Sequence, residues 1–338
     1  MGTTSQQIIP AFREIIAWKN LLKSWQEFQR GKRHKEDVAM FASDLIHNLS
    51  ELQRDLESGL YRHGGYHHFE VADPKPRHIH KASVRDRVVH HALYAALYPY
   101  FDQRFIHDSY SCRRFKGTHR AIRQFARYGR EAGRNNSRET WVLKGDIRKC
   151  FASIDHAILL TLLAKHVADN QLLTLLAEVI GSFPVKGNGK GIPLGNLTSQ
   201  LFVNIYLNEF DQYVKRVLKV ERYIRYADDF VVLSPDKGYV QNQLVLLQEF
   251  LGKSLRLECH PDKIFIQPLA QSIDFLGWVH FPDHRVLRKV TRRKMMARLG
   301  KDGLTDAVVA SYKGLLQHGN AHRLKVSLFG EDGSGKLL

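Results

Sequence analysis

The chain has 338 residues, enough for a sizeable core shared by two or three lobes. Lysine and arginine number 51 against 34 aspartate and glutamate, a formal net charge of +17, which favours a polyanionic partner. The 3 cysteines, at 112, 150 and 259, are odd in number, widely spaced and without a Cys-x-x-Cys pair. This argues against a disulfide framework or a cysteine zinc site and favours a reducing compartment.

The first residues and the apolar runs bear on the compartment. Residues 1–10 have neither a basic leader nor a long apolar run, and no later stretch is long and apolar enough to span a bilayer. We therefore expect a cytoplasmic protein that has no membrane partner.

Two helical stretches with apolar stripes come first in chain order. Apolar residues recur at helical spacing at Ile15, Trp18, Leu22 and Trp25, and again at Val38, Phe41, Leu45, Leu49, Leu52 and Leu56. A basic link, 30–35, separates the two stretches. The pattern leaves open whether the stripes pack on the rest of the fold, extend one of its lobes or form a surface for an accessory protein.

The next segments combine loops, histidines and a helix. Glycines and prolines in 59–76 predict loops and a hairpin, 87–105 predicts a helix, and 129–137 reads as a flexible polar linker. Histidines occur at 63, 67, 68, 78, 80, 90 and 91. No ligand pair at zinc-finger spacing accompanies them, so we expect solvated or RNA-facing histidines rather than a zinc site.

The run Trp141–Asp146 reads as a short buried strand that ends in a carboxylate, and a helix is predicted from about Asp155. A second helix is predicted after 192–195, capped by Asn196 or Thr198. Its expected apolar side consists of Phe202, Tyr206, Phe210, Tyr213, Val214 and Val217. A further helix at 239–252 and a strand at 264–267 complete a pattern that favours an α+β architecture.

The most informative stretch contains two adjacent carboxylates, Asp228 and Asp229. The flanking runs 222–225 and 230–233 are rich in β-branched and aromatic residues and predict a tight hairpin. Such pairs also occur in ordinary solvated turns, but Asp146 on a neighbouring strand would complete a cluster of three carboxylates. Hard oxygen ligands on a rigid support suit Mg²⁺ that also holds substrate phosphates, which points to nucleotidyl transfer.

Several motifs resemble those of reverse transcriptases. Asp146 with Phe151 five residues later, and Tyr226-Ala-Asp-Asp downstream, resemble motifs A and C of this family. Four further blocks resemble its fingers block, the block after it, its primer grip and its thumb, and they lie at 77–93, 109–119, 275–278 and 311–320. The resemblance extends over about residues 60–325.

One block departs from the general pattern of the family. Most reverse transcriptases have Pro-Gln-Gly followed by Ser-Pro, whereas this chain has Leu194 in place of the glutamine and Gln200 in place of the proline. This variant resembles the signature of diversity-generating retroelement reverse transcriptases, which copy a template RNA and misinsert opposite adenine. Leu194 removes an amide near the incoming nucleotide, and fewer polar constraints reduce discrimination between right and wrong pairs. The alternative is that Leu194 is one more packing residue.

The resemblance implies an α+β right-hand polymerase fold, in which an antiparallel palm sheet is backed by helices. We expect an N-terminal helical extension at 1–60, fingers at 61–140 and a short helical thumb at 281–338. The palm would occupy 141–280 and include part of the fingers between its first and second motifs.

The resemblance also implies the catalytic roles. Asp146 and Asp228 would ligate two Mg²⁺ ions, with Asp229 supporting the site and the Ile147 carbonyl adding a ligand. Lys263 would protonate the pyrophosphate leaving group or make only an electrostatic contact with the duplex.

The substrate-binding roles follow in the same way. Arg77 and Lys75 would grip the triphosphate, a structural salt bridge being the alternative for each. Phe151 would be a steric gate against a ribose 2′-hydroxyl or a plain core aromatic, and Leu194 and Gly195 would border the nucleotide. The expected primer and template contacts are Tyr226, Gln200, Phe275, Leu276 and Gly277.

The predicted function is RNA-directed DNA polymerisation that copies a template RNA into cDNA and is error-prone at template adenines. The implied partners are the template RNA, a cDNA or DNA primer, deoxynucleoside triphosphates and a small basic accessory protein. The alternatives are an ordinary reverse transcriptase of group II intron, retron or phage-defence type, and a polymerase-like fold that only binds RNA.

Overall fold

A computed structural model describes residues 8–71, 76–183, 189–299 and 305–329, and the chain divides into two compact units. The first unit contains the described residues up to His107 together with Ile147–Leu218 and Gln248–Cys259. The second contains Asp108–Asp146, Lys219–Leu247 and the described residues from His260 onward.

Helices account for most of the regular structure. They are α1 (Phe12–Ile15), α2 (Trp18–Gln29), α3 (Glu36–Ser43), α4 (Leu45–Glu57), α5 (Val84–Asp102), α6 (Thr118–Ala132), α7 (Cys150–Ser153), α8 (His156–Ala164), α9 (Asn170–Gly181), α10 (Leu197–Gln212), α11 (Lys237–Leu255), α12 (Lys289–Leu299), α13 (Asp306–Leu316) and α14 (His322–Phe329). Within the described ranges, no helix combines the length and apolar character needed to cross a membrane.

The strands form three antiparallel sheets. They are β1 (Tyr66–Val71), β2 (Arg77–Ala82), β3 (Trp141–Asp146), β4 (Tyr223–Tyr226), β5 (Asp229–Ser234), β6 (Phe265–Pro268), β7 (Ile273–Phe275), β8 (Trp278–His280) and β9 (Arg285–Leu287). The first unit holds the hairpin β1-β2, and the second holds a four-stranded sheet in the order β4-β5-β3-β6 and a three-stranded sheet β7-β8-β9. The predicted strand at 141–146 and the predicted hairpin around Asp228 are thus both present.

Helix α6 packs across the four-stranded sheet in the second unit. Its residues Ala121, Phe125 and Tyr128 share a buried cluster with Ile224 of β4 and Val231 of β5. Because strand side chains alternate between faces, Asp229 lies on the same face of β5 as Val231. The carboxylate strands are therefore anchored in a packed core.

The predicted linker at 129–137 is wrong at its beginning, because α6 continues through Ala132. Gly129 lies inside the helix, where a Cβ atom would come within 2.9 Å of the Leu269 side chain. The glycine therefore serves close packing rather than flexibility.

The N-terminal stripes form four short helices rather than two continuous ones. The first stripe is interrupted between α1 and α2, and the second at Asp44 between α3 and α4. The interruption changes the helical phase, so Leu21, Trp25 and Phe28 form the buried face of α2 while Leu22 is only half-buried. The predicted helix at 87–105 begins earlier, at Val84, because the Ser83 hydroxyl caps it by accepting from the Asp86 N–H at 3.1 Å.

The helix predicted after the variant block is α10, but one end of its apolar side differs from the prediction. Val217 is 65% exposed. The chain leaves α10 through a π-helical turn, Tyr213–Val217, and such a turn shifts the phase of the residues that follow.

Two of the clustered histidines are buried rather than solvated. The rings of His63 and His90 stack with centroids 5.2 Å apart, and their Nε2 atoms are 3.1 Å apart. Burial, followed by neighbouring positive charges, lowers the pKa of His90 to about 3. This pair therefore belongs to the packing of the first unit.

Candidate active site

Two of the predicted carboxylates are cross-strand neighbours in the four-stranded sheet. Strands β3 and β5 pair with Asp146 opposite Asp229, and β4 pairs with β5 with Tyr226 opposite Asp229. Opposed residues of an antiparallel pair point to the same face with Cβ atoms about 5 Å apart. Asp228 occupies the turn between β4 and β5. The fold thus brings the three carboxylates together.

Local backbone features shape this arrangement. Ala227, beside Asp228 in the turn, has a φ of 55°, a left-handed conformation that a residue with a Cβ adopts at a cost. Strain of this kind persists only where the surrounding structure holds it, and it is frequent at functional sites. Gly145 lies opposite Phe230, and a Cβ on Gly145 would come within 2.2 Å of the phenyl Cζ. A glycine immediately before Asp146 is therefore needed for the two strands to pair.

Two lysines face the carboxylates. Lys263 Nζ donates to Asp146 Oδ1 at 2.8 Å, and Lys144 Nζ lies 4.0 Å from Asp229 Oδ1. Burial raises the pKa of Asp229 to about 6; the Lys144 ammonium opposes this rise, and the charges of Asp228 and Asp146 add to it. Negative charge is thus concentrated where it is poorly hydrated, which is typical of functional sites.

The carboxylate oxygens of Asp146, Asp228 and Asp229 are of the type that binds divalent cations, although they do not form a preorganised metal site. Within the residues that the structure describes, no group of three or more His, Cys, Asp or Glu is arranged to hold a metal ion. The Lys263 ammonium lies beside Asp146, so a cation already binds to this carboxylate. Carboxylate oxygens are also the ligands that Mg²⁺ prefers. Ile147, whose carbonyl is the predicted fourth ligand, is buried and forms an isolated bridge with Cys259 in the first unit.

Arg225, for which the sequence pattern predicts no role, is a fully buried support of the turn. Its guanidinium donates to the Ala227 carbonyl at 3.0 Å and to Ser109 Oγ at 3.1 Å. Its backbone N–H donates to the Asp108 carbonyl at 2.9 Å, and its carbonyl accepts from the Tyr110 N–H at 3.0 Å. The sequence did contain a signal, a charged residue inside the strand that leads to the carboxylates. A charged side chain can be buried in such a strand only if it has hydrogen-bond partners, because burial of an unpaired charge is costly.

Four of the expected primer and template contacts lie at two hairpins of the second unit, β4–β5 and β7–β8. The Tyr226 hydroxyl lies 3.0 Å from Thr118 Oγ1 at the start of α6. Leu276 and Gly277 form the two-residue turn between β7 and β8, with φ values of 53° and 85°. Turns of this kind usually take Asn-Gly, so leucine is strained there. Phe275 is fully buried and packs 5.5 Å from the Phe125 ring, and it therefore supports the turn from beneath.

In the first unit, the variant block lies against β2, the strand that begins with Arg77. The His80 N–H donates to the Leu194 carbonyl at 3.0 Å. Asn196 occupies the N-cap position of α10 without capping it; its amide donates instead to the His80 carbonyl at 2.8 Å and accepts from the Ala82 N–H at 3.4 Å. The predicted capping role is therefore wrong, because β2 offers backbone partners that compete for the same side chain.

The remaining predicted residues have the following places. Gly195 has a φ of 110°, and a Cβ there would come within 2.7 Å of the Ile79 side chain. Phe151 is half-buried, and its carbonyl accepts from the Ile192 N–H at 2.8 Å, so its backbone lies beside the variant block. Arg77 is exposed and Gln200 is half-buried on α10. Lys75 lies outside the described residues.

A comparison with protein-family models identifies the family. Residues 72–280 match the model described as reverse transcriptase (RNA-dependent DNA polymerase). The chain belongs to the reverse transcriptase family. The match contains β3, the β4–β5 hairpin and the variant block, and the expectation of an RNA-directed DNA polymerase is thereby confirmed.

Individual relatives share less than a third of their residues with this chain. Protein YkfC of Escherichia coli (strain K12) is 28% identical over 292 residues, covering 75% of this chain and 74% of that protein. The group II intron-encoded protein LtrA of Lactococcus lactis subsp. cremoris is 25% identical over 224 residues, covering 46% of this chain and 36% of LtrA. The chain therefore spans only about a third of the intron-encoded relative.

A solved structure shares the fold. The apo telomerase of Candida tropicalis, truncated from its C-terminal domain, is similar with a TM-score of 0.50 at 9% identity, over 72% of this chain and 60% of that one. Together with the family match and the antiparallel sheets, this likeness confirms the expected right-hand polymerase fold.

Proposed function

We propose that this reverse transcriptase copies a template RNA into cDNA with errors concentrated at template adenines, as in a diversity-generating retroelement. The catalytic part rests on one observation, the pairing of Asp146 with Asp229 beside Asp228 in the turn. The proposed partners are the template RNA, a cDNA or DNA primer, deoxynucleoside triphosphates and a small basic accessory protein.

The catalytic roles follow from the carboxylates and their lysine. Asp146, Asp228, Asp229 and the Ile147 carbonyl would hold two Mg²⁺ ions, which when bound stabilise the attacking 3′ oxygen and the departing pyrophosphate oxygens. Lys263 is bonded to Asp146 in the free protein. Its ammonium would give a proton to the pyrophosphate leaving group.

The substrate roles are divided among the remaining residues. Arg77 and Lys75 hold the triphosphate through charge-assisted hydrogen bonds. The Phe151 ring excludes a ribose 2′-hydroxyl and so favours deoxynucleotides. Tyr226, together with the turn Leu276-Gly277 and the Phe275 beneath it, supports the primer, and Gln200 contacts the template.

The reduced fidelity follows from Leu194. Its carbonyl is used by His80, and its side chain has no polar group to offer a base pair. Enzymes reject a wrong substrate most strongly when it leaves a buried donor or acceptor of the site unpaired. Leu194 offers no such group, so a wrong base pair is not penalised at this position.

Replacing the two adjacent carboxylates, Asp228 in the turn and Asp229 in β5, tests the catalytic part. Asp228→Ala with Asp229→Ala should abolish deoxynucleotide incorporation on a primed RNA template and leave RNA binding nearly unchanged. The matched control replaces two exposed carboxylates of the same unit, Glu221 and Asp283, by alanine and should retain activity. Unaltered synthesis in the turn variant would remove the mechanism.

A fidelity assay on a defined RNA template tests the error-prone part. Sequenced products should carry misinsertions mainly opposite adenine, and Leu194→Gln should lower that error frequency several-fold. An even distribution of errors over the four template bases, unchanged by Leu194→Gln, contradicts the proposal.

The second candidate is an ordinary reverse transcriptase of group II intron, retron or phage-defence type. The similarity to LtrA favours it. The same assay separates the two candidates, because this enzyme would show evenly distributed errors.

A further inference from the structure

Helix α6 of the second unit carries a row of four arginines on its solvent face. Arg120, Arg123, Arg127 and Arg130 are all exposed and recur every three or four residues. At 100° per residue they lie within an arc of about 80°. The row faces away from the buried side of the helix, where Phe125 packs against Ile224 and Val231 of the four-stranded sheet.

The row is held rigidly and is crowded by further positive charge. Besides Phe125 in one core cluster, Ile122 of α6 lies in a second cluster with Trp278 and Leu316. Arg285 of β9 lies close enough that, after burial, the charges of Arg123 and Arg130 lower its pKa. Like charges fixed this closely repel one another, so the free protein carries a cost that a bound polyanion would relieve.

Acidic compensation along the row is small. Arg127 Nε lies 3.4 Å from Glu131 Oε1, an exposed pair of the kind that contributes little to stability. A salt-bridged surface helix would show alternating signs along this face. The single-sign pattern is typical of contact with phosphates.

An exposed aromatic residue lies in the turn that precedes α6. Phe115 is 84% exposed and has a φ of 59°, which is rare for a bulky residue. It lies between Arg114 and Lys116, and the turn is fixed by a hydrogen bond from the Gly117 N–H to the Tyr110 carbonyl at 2.9 Å. Basic residues next to an exposed ring are the usual means of binding unpaired nucleic acid, through phosphate contacts and base stacking.

We propose that the α6 arginine row binds the backbone of a single-stranded RNA segment and that Phe115 stacks on one of its unpaired bases. The row is about 15 Å long, and its four arginines offer successive charges along the path of one nucleic-acid strand. This surface lies on the face of α6 opposite the packed sheet, so it adds an RNA contact to those proposed for Tyr226 and Gln200. The proposal rests on the proposed function in naming RNA as the polyanion.

The arginine row is tested by changing all four residues to glutamine. Binding of a 20-nucleotide single-stranded RNA is followed by fluorescence anisotropy, without metal or deoxynucleotides, over a series of salt concentrations. Each phosphate contact contributes about 0.7 to the slope of log affinity against log salt, so the slope should fall by about 3 units and affinity at least tenfold.

The matched control removes four exposed positive charges from the first unit, at Arg13, Lys19, Lys23 and Arg54. It should change the slope by less than half as much. An unchanged slope in the α6 variant, or an equal loss in the control, overturns the proposal. Because binding is measured without synthesis, this failure is distinct from a failure to incorporate deoxynucleotides.

The stacking contact is tested by Phe115→Ala. Stacking on an aromatic ring is sequence-tolerant, and its loss should weaken single-stranded RNA binding by about fivefold or more with no change in salt slope. Binding of a blunt double-stranded RNA should be unaffected, because its bases are paired. Equal weakening for both RNAs, or none for either, contradicts the role of Phe115.

Discussion

The strands that carry the carboxylates and the hairpin that carries Arg77 are built differently. Strands β3 and β5 are inner strands of a four-stranded sheet and mostly buried, whereas β1 and β2 form a two-stranded hairpin that is mostly exposed. A two-stranded hairpin is marginally stable alone. Strand β2 is held by the Leu194 carbonyl, which accepts from the His80 N–H, and by the Asn196 amide, which donates to the His80 carbonyl. The proposed chemistry therefore has a rigid support, whereas the proposed triphosphate contact depends on a few hydrogen bonds.

Replacing Arg225, which supports the turn that contains Asp228, should have the largest effect on the rate of incorporation. Arg225→Met leaves the Ala227 carbonyl and Ser109 without their donor, at a cost of about 1–3 kcal/mol for each buried group. We expect the maximal rate of incorporation to fall about 100-fold with little change in KM for the deoxynucleotide. The control is Arg222→Met, which removes a partly exposed arginine near the same hairpin. A normal rate in Arg225→Met would show that the turn holds its shape unaided.

Asn196 should have a smaller effect, on substrate binding at the β1–β2 hairpin. Asn196→Ala frees β2 from two hydrogen bonds, and a loss of about 1–2 kcal/mol predicts a KM for the deoxynucleotide raised about tenfold. Steady-state kinetics should show kcat nearly unchanged. Asn208→Ala on the same helix serves as the control. A fall in kcat at constant KM would break the distinction between the two regions.

Asp229 should make the stability of the four-stranded sheet depend on pH. Its folded pKa of about 6 exceeds the ordinary value of 3.8, so its favourable contribution is present below about pH 4 and lost as pH rises through 6. In EDTA, Asp229→Asn should therefore raise Tm by about 2–4 °C at pH 8 and by less at pH 5. Added Mg²⁺ should stabilise the wild type more than the variant. If the wild type and Asp229→Asn had the same Tm at pH 8 and at pH 5, the result would contradict this prediction.

Leu276 should give the smallest effect. Leu276→Asn suits the left-handed turn and relieves strain of about 1 kcal/mol, offset in part by lost packing of the half-buried side chain. We expect a small gain in the free energy of unfolding in urea, with primer-template affinity reduced several-fold. Unchanged affinity would argue against a primer contact at this turn.

The strands that carry the carboxylates and the β4–β5 hairpin could be predicted from the sequence because their signals are local. Alternation and β-branched residues mark the strands, and acidic residues interrupt them at Asp146 and Asp228. The supports were not predictable in the same way. Arg225 depends on Ser109, more than a hundred residues earlier, and Asn196 depends on β2, so their roles arise from partners that no local pattern indicates.

From the amino-acid sequence alone, the family and the antiparallel sheet could be inferred because several motifs resemble those of reverse transcriptases. The α+β class followed from the order of the predicted strands and helices, and the three acidic positions followed from their places at the ends of apolar runs. Three features could be seen only in the folded chain. Asp146 lies opposite Asp229, Lys263 donates to Asp146, and the α6 arginines form one exposed row. Strand register, ion pairing and the face that a helix buries are set by packing between distant segments. Packing of that kind is a property of the whole fold rather than of any one stretch of chain.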